Sequence, residues 1–209
     1  MEEIKFFKPS EPYGEFSNFY YTPVILLNEI WPTVEHYVQS IKFEDVNLWD
    51  RIKVMKAPQD VANLSSKLQH KLRPDWEDVK DAIMLKAVKA KFFQHHRLKK
   101  ILLETGDATI IQHNPNDNYW ADGGDGTGKN KLGLILMHVR EQLLEISKDP
   151  DLILPPWIMF PNNDRGGMFW NMGWGEDYIM EWSRFVDQFG AEAYRNLFPE
   201  PLDWEGTYN

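Results

Sequence analysis

The stretch DNYWADGGDGTGKNKLG, Asp117 to Gly133, decides between two folds. Its segment Gly123 to Asn130, GGDGTGKN, has the G-x-x-x-x-G-K spacing of a phosphate loop, whose amides cradle phosphate at a helix start. Asn130 stands where that loop needs a hydroxyl for magnesium. The preceding residues, NPNDNYWAD, are polar and not a buried strand, and no apolar strand ending in Asp completes a metal site. Asp117, Asp122 and Asp125 miss the alternation and terminal Glu of a calcium loop. Two readings stay open: a bare backbone that lets an anion approach its amides, or a tight turn that needs positive φ.

Working outward, Lys131 to Ile146 reads as a helix opened by Asn130 as cap, and ATIIQH before the loop reads as a short strand. Helical spacing predicts further helices from Thr33 as N-cap, from Val46 to Met55, Gln59 to Leu68, Trp76 to Gln94 and Arg97 to Thr105, the last ended by Gly106. IKFF and TPVILL read as strands. Strands do not alternate regularly with helices as a doubly wound sheet requires, so the expected class is α+β: a mostly helical single domain with a few short strands, plus a C-terminal extension.

The chain has 209 residues, 43% of them apolar, and no Cys, which removes disulfides, thiolate metal sites and a Cys nucleophile. A net charge of −9 argues against tight non-specific nucleic-acid binding. The N-terminus lacks the pattern of a signal peptide and no segment is apolar enough to span a bilayer, so a cytoplasmic location with no membrane partner is expected. Residues 151–209 hold 3 basic and 10 acidic side chains and five of the nine Trp, against a near-balanced core. The Pro- and Asn-rich KDPDLILPPWIMFPNNDRGG between them reads as a connector. Trp157, Trp170, Trp174 and Trp182 of the extension are expected to cap an apolar surface.

On the helix after Thr33, Val34, Tyr37, Val38 and Ile41 form the apolar stripe, while Glu35, Gln39 and Lys42 share another side at i, i+4 and i+7. A solvated face with weak helix pairs explains this as it stands, and a carboxylate in a first turn is favoured without catalysis. His36 reads as structural. His95 and His96 lack the i, i+4 geometry of a zinc motif, and there is no G-x-S-x-G elbow, so neither a metal nor a serine nucleophile is expected.

Five segments in fixed order do more. GEFSNFYYTPV, WPTVEHYVQSIKF, the DW before a helix with MLKAVKAKF, LLETG, and DNYWADGGDGTGKNKLGLILMHVR resemble the YbiA-like proteins, or NADAR domain, over about residues 5–146. The resemblance implies an enzyme that hydrolyses N-glycosidic bonds to ribose without a cofactor. Its substrate is ADP-ribose attached to guanine or, alternatively, a phosphoribosyl intermediate of riboflavin synthesis; a non-catalytic ADP-ribose-binding module is the third possibility. The family's functional Glu, Trp and Asp fall on Glu35, Trp76 and Asp117. Lys42 matches a Lys suggested in some members to form a Schiff base with ribose C1. Under that resemblance Ser17, Asn18, Phe19 and Trp120 become substrate-binding candidates, and Gly123, Gly124, Asp125, Gly128 and Asn130 a phosphate and ribose cradle. One departure is Ala121, where the family commonly has Gly, which questions any geometry that needs positive φ there. Residues 151–209 lie outside the resemblance.

Overall fold

A computed structural model describes residues 2–27, 29–148, 152–160, 163, 165–201, 204, 206 and 207, with the Trp174 side chain left out. They fall into two compact units, Met1–Val24 with Ile30–Leu143, and Ile25–Glu29 with Leu144–Asn209.

The first unit is built around strands β1 (Glu3–Phe6) and β4 (Thr109–Gln112), which pair in parallel with Ile4 opposite Ile110. Ile4, Phe6 and Ile110 bury the inward face. Between these strands in chain order come a short hairpin of β2 (Val24–Leu26) and β3 (Glu29–Trp31), whose Ile25–Glu29 count with the second unit, then helices α1 (Val34–Ile41), α2 (Val46–Lys53), α3 (Pro58–Lys67), α4 (Trp76–Gln94) and α5 (His96–Glu104). α6 (Lys131–Lys148) follows β4. Of the described residues 56% are helical, and the class is the expected α+β. β3 was not expected.

α1 positions the site. Thr33 caps it, its hydroxyl accepting from the His36 amide. The helix packs against α2, α3 and α4, and seven of its eight residues are buried. His36 is structural, as expected: its ring N–H donates to the Met55 carbonyl at 3.0 Å and its other nitrogen accepts from Thr33 at 2.8 Å. Pro58 does not end α2 so much as begin α3, at the first-turn position where a missing N–H costs nothing.

Asn130 differs from its expected role. It sits at φ 47°, and its side chain reaches β4, donating to the Ile110 carbonyl at 2.8 Å and accepting from the Gln112 amide at 3.0 Å. The start of α6 is thereby tied to the sheet. Gly133 allows the close approach, because a Cβ there would lie 2.1 Å from the Ile110 oxygen.

The second unit contains α7 (Pro156–Met159), α8 (Trp174–Phe189) and α9 (Ala191–Leu197). The stretch read as a connector thus carries a helical turn; residues 149–151, 161, 162 and 164 of it lie outside the described ones. Trp157, Trp182, Trp170 and Trp204 contact one another with ring centroids 5.5–5.8 Å apart. Trp182 donates its indole N–H to the Tyr194 hydroxyl at 3.0 Å. The unit therefore has an aromatic core of its own.

Candidate active site

A cavity of about 790 Å³ opens in the first unit, within the size range of small-molecule sites. α1 supplies Glu35, Gln39 and, at its end, Lys42; α4 supplies Trp76, Glu77, Lys80 and Met84. The loop after β4 brings Asn114, Asp117, Tyr119 and Trp120, and the turn after Phe16 brings Ser17, Asn18 and Phe19. Glu35, Lys42, Trp76 and Asp117, separated by up to 82 positions, thus share one wall-to-wall space.

The face carrying Glu35 is not the solvated one that spacing alone favours. Glu35 is only 6% exposed, and burial pushes its carboxyl up to about 7. A hydrogen bond of 2.7 Å from Gln39 and the charge of Lys42 oppose that rise, while the charge of Asp117 adds to it. Burial also pulls the Lys42 ammonium below the usual lysine range, with Glu35 pulling the other way. The Lys42 Nζ lies 5.3 Å from the centroid of the buried Trp76 ring. Asp117 is fixed by its own backbone: one carboxylate oxygen accepts from the amides of Tyr119 and Trp120 at 2.9 and 2.8 Å. A carboxyl raised toward neutrality, a partly desolvated amine and a second carboxylate have the chemistry that acid–base and nucleophilic catalysis requires.

The glycine loop is a correction. Gly123, Gly124, Asp125, Gly128 and Asn130 do not line this cavity; all but Gly123 edge a separate depression beside Lys5 and Thr109. All of these amides but that of Asp125 donate within the loop and its flanks. Gly123 donates to the Asp117 carbonyl, Gly126 and Gly128 to that of Asp122, Lys129 to that of Asn118, and Asn130 to that of Ala121. Gly124 donates to the Asp122 carboxylate and Thr127 to that of Asp125. The first helical amides of Lys131 and Leu132 are taken by Tyr119 and Trp120. Amides engaged this way are not free to cradle a phosphate. The loop is a self-satisfied turn, with positive φ at Gly123, Gly124 and Gly126, whose effect is to fix Asp117 and its neighbours. Ala121 has no positive φ and is fully buried, so its replacement of Gly leaves this turn intact.

Sequence reasoning missed Lys91. It is 1% exposed, burial pulls its ammonium down to about 7, and its Nζ donates to the Ser17 carbonyl at 2.8 Å. That bond holds the turn whose next residue, Asn18, lines the cavity and accepts the Glu35 amide at 3.1 Å. The signal was present: Lys91 occupies a place in the apolar stripe Met84, Ala87, Val88 and Phe92 of α4.

With this geometry in hand, the comparisons decide the family. The NADAR domain model matches residues 5–144. The chain belongs to the NADAR domain family. The Escherichia coli N-glycosidase YbiA is 44% identical over 140 residues, 67% of this chain and 88% of that protein. Its NMR structure superposes with a TM-score of 0.65, over 70% of this chain and 87% of that one. A riboflavin biosynthesis protein of Vibrio vulnificus is 40% identical over 146 residues, 69% of this chain and 40% of that protein. This NADAR protein is an N-glycosyl hydrolase.

Proposed function

We propose that the chain cleaves the bond between C1 of a phosphorylated ribose and the nitrogen of a flat ring, with Lys42 as nucleophile and Glu35 as proton shuttle. The observation that carries this reading is the buried Glu35, titrating at about 7, beside a desolvated Lys42. The lone pair of the leaving-group nitrogen opens the ribose ring, the C1–O4′ bond breaking as the ring oxygen takes a proton from Glu35; the neutral amine of Lys42 then adds to the C1=N bond so formed, and the C1–N bond to the leaving group breaks. Glu35 gives that nitrogen the proton it needs and receives the one the lysine releases. Water then adds to the lysine–C1 imine, freeing the ribose aldehyde and restoring the amine. Asp117 faces the positive charge that develops around C1, and Trp76 or Trp120 offers a flat wall to the leaving ring.

The smaller substrate, a phosphoribosyl intermediate of riboflavin synthesis, is favoured by the relatives named for that pathway. The larger one, ADP-ribose on guanine, is supported by a cavity with Phe19, Trp76, Tyr119 and Trp120 along its walls, enough aromatic surface for two rings. Incubation with each substrate, followed by chromatography for ribose 5-phosphate or ADP-ribose, separates them. Release from one and not the other names the substrate. Release from neither, with tight binding intact and unaltered by Glu35→Gln, overturns catalysis in favour of a binding module.

A further inference from the structure

Three lysines converge on one tyrosine at the edge of the cavity. The Tyr119 ring has the Nζ of Lys80 at 3.9 Å from its centroid, that of Lys129 at 5.0 Å and that of Lys131 at 5.9 Å. The ring is held from both ends: its hydroxyl donates to Asp81 at 2.7 Å, and its backbone amide donates to Asp117. Lys131 is committed to Asp81 at 2.8 Å, and Lys80 pairs with the exposed Glu77. With Lys80 and Lys131 each engaged by a carboxylate, Lys129 is the ammonium of the three that none engages among the described residues. An anion at this edge meets the Lys129 ammonium directly and that of Lys80 in exchange for the exposed Glu77.

Tyr119 and Lys80 line the cavity together with Asp117, while the neighbouring Lys129 is exposed. The ring therefore bridges solvent and the interior. Lysines act as compact, strongly hydrated point charges that suit a rotating phosphate better than a planar carboxylate.

We infer that Lys80 and Lys129, set over the Tyr119 ring, form the subsite for the phosphate or diphosphate of the ribosyl substrate. The inference rests on the reading above for its substrate class and moves the phosphate from the glycine loop to the lysine-bearing edge. Lys131 and Asp81 position the ring. The sugar then extends inward toward Glu35 and Lys42, with C1 deep and the phosphate at the rim.

The test is titration calorimetry of the full chain with ribose 5-phosphate and with ADP-ribose, on wild type, Lys129→Ala, Lys80→Ala, the double variant and Lys5→Ala as a charge control. Lys5 edges the other depression. The double variant is expected to weaken Kd for both probes by about tenfold or more, each single variant by less, and Lys5→Ala by under about twofold. A double variant that binds like wild type, an equal loss with Lys5→Ala, or no binding to wild type would each overturn the subsite. Because binding is the readout, the proposals fail separately. Lysine-dependent binding without turnover removes the catalytic reading alone, and turnover with lysine-independent binding removes the subsite alone.

Discussion

Glu35 is held in a place that works against the fold. Its carboxyl is raised from 4.5 to about 7, so the folded state binds the extra proton between those values. Stability from this group is fully present below about 4.5 and is lost as pH rises through about 7, a loss of roughly 3 kcal/mol at pH 8. Glu35→Gln is therefore expected to unfold at a higher temperature than wild type at pH 8, with the gap closing toward pH 5. The same variant is expected to lose about 100-fold or more in kcat, as removal of a general acid–base group does. Wild-type activity is expected to bend near pH 7, and a flat profile from pH 6 to 8 would separate Glu35 from the chemistry. Lys91 predicts a different pattern, because it acts through Ser17 and Asn18 and not on the substrate. Lys91→Met is expected to alter KM and the pH profile, and Lys91→Arg to recover part of the loss. Equal damage to stability with unchanged kinetics would make it a packing residue only.

At the level of elements, the junction of β4 with α6 sets where Asp117 and Tyr119 stand. Gly133→Ala puts a methyl 2.1 Å from a backbone oxygen that has no freedom to withdraw. It is expected to destabilise by about 1–3 kcal/mol in urea unfolding, and a neutral result would show that α6 moves more freely than its bonds imply. Thr33→Ala removes the cap of α1 and the Nδ1 partner of His36, with an expected loss of about 1 kcal/mol. Much of this was legible. The cap at Thr33 and the span Trp76 to Gln94 follow from spacing and composition, and α4 has those bounds. Glu35 and Lys42 could be placed on one helical side, but not in a cavity, since periodicity says which residues share a face and not what covers it. β3 is three residues long, too short for alternation to register. The glycine loop misled as a phosphate candidate because hydrogen bonds inside a turn leave no trace in spacing. Lys80 and Tyr119 join the site through contacts between distant segments, which one sequence does not encode locally.

For the whole molecule, the family match ends at 144, close to the end of the first unit at Leu143. Of the tryptophans expected to cap an apolar surface, Trp157 contacts Trp182, and Trp157 and Trp170 both contact Trp204. No helix among the described residues is long and apolar enough to cross a membrane. A chain cut after residue 148 keeps every cavity-lining side chain, and we expect it to turn over substrate at a rate of the same order as the full chain. Folding retained with activity lost would assign the second unit a part in catalysis.

With Lys42 as nucleophile, an amine is expected to attack C1 of the sugar inside this cavity. Borohydride added during turnover reduces an imine to a stable secondary amine, and mass spectrometry of the digested protein locates it. One reduced ribosyl phosphate adduct is expected on Lys42, absent from Lys42→Arg. Full turnover with no adduct, or an adduct on any other lysine, would contradict it.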